Sequence, residues 1–459
     1  ALEKRFFVIR VSVPFLEIRK LKWCSVQRLD SDLPMNLLDE EHFNVEIENG
    51  MKNGCLDLPF ELQPETIAIQ EAVKVILKGL GEDINREGIK KTPFRVAKAL
   101  RQGTRGYKQK VKDFVQSALF PETGLADGQA GGVGGLVVIR DLDHYSYCES
   151  CLLPFRVKCH IGYVPSGGRV LGLSKFSRVA DVFAKRLQEP QRLAGEICSA
   201  LQHWVEPSGV AVVLQCSHPH FPGFVELTVT SGSGGFEDES SELWCEFLSL
   251  LKFKLRRDVS MKDWCPFVIE NSSKEADSGM VSAVVSILKA LGEDPSRKEL
   301  VSTPTRFLKW MMKFQYVNFE MKLNRFDYNL KERRLSCEMN IQFWSMCEHH
   351  LLPFYGVVHI GYFCDDGPKA LERSLVESVV KFYGFKLQVQ ERMTRQIAET
   401  LSPQVSGDII VVAEAEHTCM ISRGIEKFGS STATVAVLGR FSSDLSVRTK
   451  FLESIQKTD

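Results

Sequence analysis

The sequence predicts an α+β fold that occurs twice in one chain. Three observations predict it. The chain repeats itself: "GLGEDINREGIKKTPFRVAKAL" (79–100) matches "ALGEDPSRKELVSTPTRFLKWM" (290–311), and "CHIGYVP" (159–165) matches "VHIGYFC" (358–364). "RLQEPQRL" (186–193) then matches "KLQVQERM" (386–393), and "VVLQCSHPHF" (212–221) matches "VVAEAEHTCM" (411–420). Matches that keep the same order mean two copies of one domain. Each copy also mixes segments of helical period with short β-branched runs, the pattern of helices and antiparallel strands in one layer pair. Finally, 459 residues are more than one core normally organises.

The elements follow in order. Residues 1–54 read as an extension without fixed structure; mixed Glu, Lys and Arg around a short apolar patch fit a transit peptide less well. The first copy spans 55–256. It opens with a helix whose apolar face carries Ile69, Val73, Ile76 and Leu77, and Gly81 suits its end. A second helix follows, with Pro93 in its first turn. "KCHIGYV" and "VAVVL" read as strands, and "FSRVADVFAKRL" between them reads as a helix. "GLADGQAGGVGG" (124–135) is a surface loop present in this copy alone. A linker covers 257–273, and the second copy covers 274–459. Its first helix should bury Val281, Val284, Val285 and Leu288 and end at Gly292, with Pro304 opening the next helix. "VVHIGYF" and "IIVVA" are its strands and "VESVVKFYGFKL" its intervening helix.

Composition narrows the function. The chain is 44% hydrophobic and 25% charged, with a formal net charge of zero. That balance offers no reason to expect nucleic acid or an acidic membrane as partner. No apolar run approaches the ~18 residues of a membrane span. Thirteen cysteines, an odd number, several inside apolar strands, fit free or metal-bound thiols in a reducing compartment, and the expected location is the cytoplasm.

The chemistry concentrates in "SMCEHHLLPF" (345–354) and "EHTCM" (416–420). Cys347 and His350 have the spacing of a zinc pair, and Cys419 adds a second thiolate. Thiolate, imidazole and thiolate form a soft three-ligand set that leaves a fourth position open to water. The alternative is a pair of core thiols with packed histidines nearby. His349 and His417 remain as imidazoles that could move protons or support the ligands.

The ordered run "CEHHLLPF…HIGY…QVQER…EAEHTCM…RG" resembles GTP cyclohydrolase I, and the doubling looks like the two-domain plant form of that family. The resemblance covers about residues 60 to 459. It implies the tunnelling fold: tandem antiparallel sheets with helices on one face, pooled by several subunits into a barrel-like homo-oligomer with sites at the interfaces. It implies conversion of GTP and water to 7,8-dihydroneopterin triphosphate and formate, the opening step of pterin and folate synthesis. By position, Cys347, His350 and Cys419 match the zinc ligands, and His349 and His417 match the catalytic histidines. In the family, water activated at zinc attacks C8 of the purine, and the equivalent of His417 protonates the opening ring. Gln390 and Glu391 match the guanine-recognising pair, and Arg423 matches a triphosphate-binding arginine. Arg306 and Lys309, and their first-copy equivalents Arg95 and Lys98, could add phosphate contacts or could line a surface helix face.

The first copy has lost much of this. Ser150 and Cys151 replace the two histidines, His220 replaces the last cysteine, Gln191 replaces Glu391 and Phe224 replaces Arg423. Cys148, Cys151 and His220 are a zinc set by composition, but disuse is the better expectation. The first copy nevertheless keeps Ser174, Lys175 and Arg178, which match a triphosphate-binding loop that the family supplies from a neighbouring subunit. The second copy has Leu375 and Ser378 in place of that lysine and arginine. Each copy thus lacks what the other retains, and the expectation is a composite site in a ring of alternating copies. Two other readings compete: a different tunnelling-fold pterin enzyme, and a non-catalytic nucleotide-sensing scaffold with structural zinc.

Overall fold

The computed structural model describes residues 13–14, 58–121, 135–220, 223–251, 264–265, 276–316, 333–365, 371–427 and 429–456. The expected extension, glycine-rich insert and linker lie outside the described residues, apart from 13–14, 135 and 264–265. The first copy runs α1 (Pro64–Gly79), α2 (Thr92–Gly103), β1 (Val137–Cys148), β2 (Pro154–Val164), α3 (Ser174–Ala184), α4 (Pro190–Val205), β3 (Gly209–His220), β4 (Gly223–Gly234) and α5 (Glu242–Leu251). The second runs α6 (Ser278–Ala290), α7 (Thr303–Tyr316), β5 (Arg333–Cys347), β6 (Pro353–Asp365), α8 (Arg373–Gly384), α9 (Gln390–Leu401), β7 (Ile409–His417), β8 (Ser430–Leu438) and α10 (Leu445–Ile455). The class is α+β, built twice.

Both sheets share one strand order. Leu187–Gln188 pairs in parallel with β1, and β1, β2, β3 and β4 continue antiparallel; Leu387–Gln388, β5, β6, β7 and β8 repeat this. Val13–Pro14 adds a short antiparallel pair at Ser430–Ser431 beyond β8. Side chains alternate across each strand. In β3, Val210, Val212 and Leu214 face the main core, where Leu193, Ile197 and Leu201 of α4 lie. Ala211 and Val213 face a smaller cluster with Trp244 and Phe247 of α5. The longer helices α3 and α4 thus cover one face, and a C-terminal helix caps part of the other.

The repeated "HIGY" is a structural device. His160 Nδ1 accepts from the backbone N–H of Asp141 at a β-bulge, and His359 Nδ1 accepts from Asn340 at the matching bulge. Gly162 and Gly361 give α5 and α10 room: a Cβ there would lie 2.8 Å from Phe247 and 2.5 Å from Phe451. Tyr362 Oη accepts from the Leu371 N–H at 3.0 Å and holds the start of α8.

The helix faces follow the sequence closely. Ile69, Val73, Ile76 and Leu77 are all buried, and Gly81 and Gly292 end their helices at φ 78° and 93°. On α6 the buried face is rotated from the expected one, to Met280, Ala283, Val284, Ile287 and Leu288, with Val281 and Val285 half-buried. The reason is α1. Its Gly79 lies against the Met280 side chain, so α6 packs on the other copy's helix as well as on its own.

That contact belongs to an exchange. Thr92 at the start of α2 donates to the Glu348 carbonyl at 2.7 Å, and Thr303 at the start of α7 donates to the Glu149 carbonyl at 2.6 Å. Arg86 reaches the Glu348 carboxylate at 2.9 Å, and Arg297 reaches Glu149 at 2.8 Å. The helical lead of each copy therefore lies over the other copy's β-turn. No helix among the described residues is long and apolar enough to cross a membrane.

Candidate active site

β5 ends at Cys347, whose strand neighbour is Gln388. The chain then turns within four residues. The Leu351 N–H donates to the Cys347 carbonyl at 2.9 Å, and the Cys347 N–H donates to the Leu352 carbonyl at 2.9 Å. Leu351 adopts φ 53°, a left-handed conformation that costs a branched residue about 1–2 kcal/mol. This turn brings Cys347 Sγ and His350 Nδ1 to 3.9 Å. From the other side, β7 ends at His417, and the short helix Thr418–Ile421 carries Cys419 inward, anchored by Thr418 Oγ1 donating to the Pro353 carbonyl at 2.6 Å.

The ligand atoms of Cys347, His350 and Cys419 all lie within 4.8 Å of one another, and all three residues are buried. The donor set fits a soft ion such as zinc with one coordination position left open. Hydrogen bonding from Cys419 first, then from His349, His350 and His417, holds Cys347 well below the usual thiol range against its burial. The bond to Cys347, together with burial, pushes Cys419 up, and burial lowers His350.

Around this centre opens a cavity of about 320 Å³. Cys347, His349, His350, Gln390, Glu391, His417, Cys419 and Arg423 all line it, and so does Arg95 from the first copy. Glu391 opens α9 and is exposed to the cavity. Gln390 was expected to read the base, but its side chain is engaged inside the fold. Nε2 donates to the Ala413 carbonyl at 2.9 Å and to the Thr432 carbonyl at 2.7 Å, and Oε1 accepts from His417 Nε2 at 2.7 Å. His417 also stacks on Phe354, with ring centroids 4.7 Å apart. Arg423 is oriented by its Nε donating to the Cys419 carbonyl at 2.6 Å.

Other expected residues fall elsewhere. Arg306, Lys309 and Lys98 do not line this cavity; Arg306 and Lys309 lie on α7, whose Thr303 bonds the first copy's Glu149. The exchange of helical leads makes Arg95, rather than Arg306, the arginine of the second copy's cavity. Ser174, Lys175 and Arg178 open α3, and within one chain none of them lines the cavity. In the first copy the gathered groups are Cys148, Cys151, His218 and Cys265; His220 is not among them.

Sequence reasoning missed the supports. Glu348 is buried and held by Arg86 and by Arg392 at 2.6 Å; Glu149 is buried and held by Arg297 and by Arg192 at 2.7 Å. The signal was available, since "CE" and "TP" recur in both copies although the histidines do not. Lys185 of the first copy was also missed. It donates to the Ser422 carbonyl beside Arg423 at 3.3 Å and to the Tyr145 carbonyl at 3.1 Å, and burial pulls its ammonium down to about 8.

Fold and site together define a tandem α+β protein with a three-residue set that could hold a soft metal ion at one cavity. The chain belongs to the GTP cyclohydrolase I family, whose sequence pattern matches residues 69–221 and 280–456. It is 70% identical over 456 residues to the GTP cyclohydrolase 1 of Arabidopsis thaliana, covering 93% of this chain and 98% of that protein. It is 62% identical over 451 residues to that of Solanum lycopersicum, covering 92% and 98%. The GTP cyclohydrolase 1 of Dictyostelium discoideum is 44% identical over 191 residues, 40% of this chain and 77% of that protein, a length close to one copy.

Proposed function

We propose that GTP is hydrolysed in the second copy's cavity to 7,8-dihydroneopterin triphosphate and formate, the first step toward pterins and folates, with residues of both copies forming the site. One observation carries this reading. A soft three-ligand set, two further imidazoles, an exposed carboxylate and arginines from both copies converge on a single cavity. The plant relatives named GTP cyclohydrolase 1 support it across almost their whole length.

Zinc held by Cys347, His350 and Cys419 would supply Lewis acidity that makes hydroxide available near neutral pH. The chain's own groups do the rest. Glu391 offers two carboxylate oxygens to the N1–H and 2-amino edge of guanine, a donor pair that adenine lacks. His417 Nε2 donates to Gln390 and fixes the ring, which leaves Nδ1, the nitrogen on the Cys347 side, to exchange a proton with the purine nitrogen as the ring opens. His349, beside the ligands, is the second proton carrier. Arg423 and Arg95 bind triphosphate oxygens through charge-assisted hydrogen bonds.

Lys175 and Arg178 meet the triphosphate from a neighbouring chain in a barrel-like homo-oligomer, since their own chain's cavity does not include them. The described cysteines form no disulfide, which supports a reducing compartment, the cytoplasm. The test is to incubate the purified, zinc-replete protein with GTP, oxidise, and read neopterin phosphate fluorescence together with formate. Absence of both overturns the reading. Co-assembly of Lys175→Ala chains with His417→Ala chains should recover activity; no recovery overturns sharing between chains.

A further inference from the structure

The first copy keeps the metal turn after losing the catalytic residues. Cys148 ends β1, the Leu152 N–H donates to the Cys148 carbonyl at 2.8 Å, the Cys148 N–H donates to the Leu153 carbonyl at 2.9 Å, and Leu152 adopts φ 58°. This is the Cys347–Leu351 turn with Cys151 in the place of His350. Opposite it stands His218, at the repeat position of His417. Its Nδ1–H donates to the Pro219 carbonyl at 2.8 Å, so Nε2 carries the lone pair, and Nε2 lies 3.3 Å from Cys151 Sγ. A backbone carbonyl on one ring nitrogen is the usual orienting partner of a ligating imidazole. The fourth group comes from outside both sheets. Trp264 and Cys265 are buried, and the Trp264 ring sits edge-on to Phe155 and to His218, with centroids 5.1 Å from each.

We infer that Cys148, Cys151, His218 and Cys265 bind a structural zinc ion that fastens the segment between the two copies to the first sheet. Their ligand atoms all lie within 4.8 Å of one another, and all four residues are buried. Tetrahedral zinc with bonds of about 2.3 Å places its sulfurs roughly 3.8 Å apart, within that spread. Core packing alone accounts for buried thiols. It does not account for three of them converging on the unprotonated nitrogen of a buried imidazole. The contrast with the second copy is chemical. Three protein ligands there leave a position for reactants, whereas Cys265 here fills it, and closed four-ligand sites are structural.

The test is zinc per chain, by elemental analysis of the desalted full-length protein. Wild type should hold two ions, Cys347→Ser one, Cys265→Ser one and the double variant none. With cobalt substituted, the Cys347→Ser protein should show intense tetrahedral visible bands and thiolate charge-transfer absorption, both lost in the double variant. Cys265→Ser should keep GTP hydrolysis while unfolding at a lower temperature. If Cys265→Ser does not fold, Cys347→Ser decides alone: one retained ion with the three-thiolate cobalt spectrum supports the site, and a metal-free protein overturns it. Two ions retained by Cys265→Ser also overturns it.

Discussion

At residues 347–351 and 148–152 the two copies make the same turn, with a leucine at φ 53° and φ 58°, a cysteine arriving from a strand, and a buried glutamate between two arginines. The first of these turns faces a cavity lined by His349, His417, Arg95 and Arg423. The second is closed over by Trp264 and Cys265, which reach it from between the copies. The difference separates two kinds of residue. What both copies keep, such as Glu149 and Glu348 or Thr92 and Thr303, holds the exchanged helical leads in place. What one copy keeps, such as His349, Glu391 and Arg423, lines the cavity in which the chemistry is proposed. A single-copy protein could not display that distinction.

Four experiments break or sharpen it. The largest effect is expected at the metal ligands: Cys419→Ala should abolish GTP turnover and release the second copy's ion, while His220→Ala at the repeat position should leave metal content unchanged. Metal loss from His220→Ala would show that the first copy uses the same ligand positions after all.

Next come the buried glutamates. Glu348→Ala and Glu149→Ala should each destabilise by about 2–4 kcal/mol, because each leaves two arginines without their shared carboxylate. Thermal unfolding of both variants checks this; a loss confined to Glu348→Ala would mean that the clamp serves catalysis and not assembly.

Gln390→Leu should keep its metal yet lower kcat by roughly tenfold to a hundredfold, since His417 loses the acceptor that fixes its ring, a bond in the range of about 1–3 kcal/mol. Unchanged kcat with raised KM for GTP would return Gln390 to base recognition.

The smallest effect tests the exchange itself. Arg95→Ala should raise KM for GTP several-fold, at about 1 kcal/mol for one partly solvated phosphate contact, and Arg306→Ala should not. The reverse pattern would place the helical leads over their own copies.

Much of this was legible in the residues. The doubling, the strands, the faces of α1 and the CxxH turn depend on patterns within a few residues, where spacing and geometry are nearly the same thing. The rotated face of α6 was not legible, because its burial is set by Gly79 and Met280, which belong to different copies. Nor was the engagement of Gln390, which depends on carbonyls of β7 and β8.

By itself the sequence determined that one domain was written twice, and it offered Cys347, His350 and Cys419 as candidates for one soft ligand set whose histidine and last cysteine are replaced in the first copy. Only the tertiary structure decided that Arg95 serves the other copy's cavity, that His218 displaces His220, and that Cys265 completes a fourth position. The physical reason is range. A turn of four residues places its side chains through local φ and ψ, but Thr92 meets Glu348 across 256 residues. Closing a loop that long costs entropy that depends only weakly on its length, so nothing local marks which partner wins. Packing of the two copies against each other makes that choice.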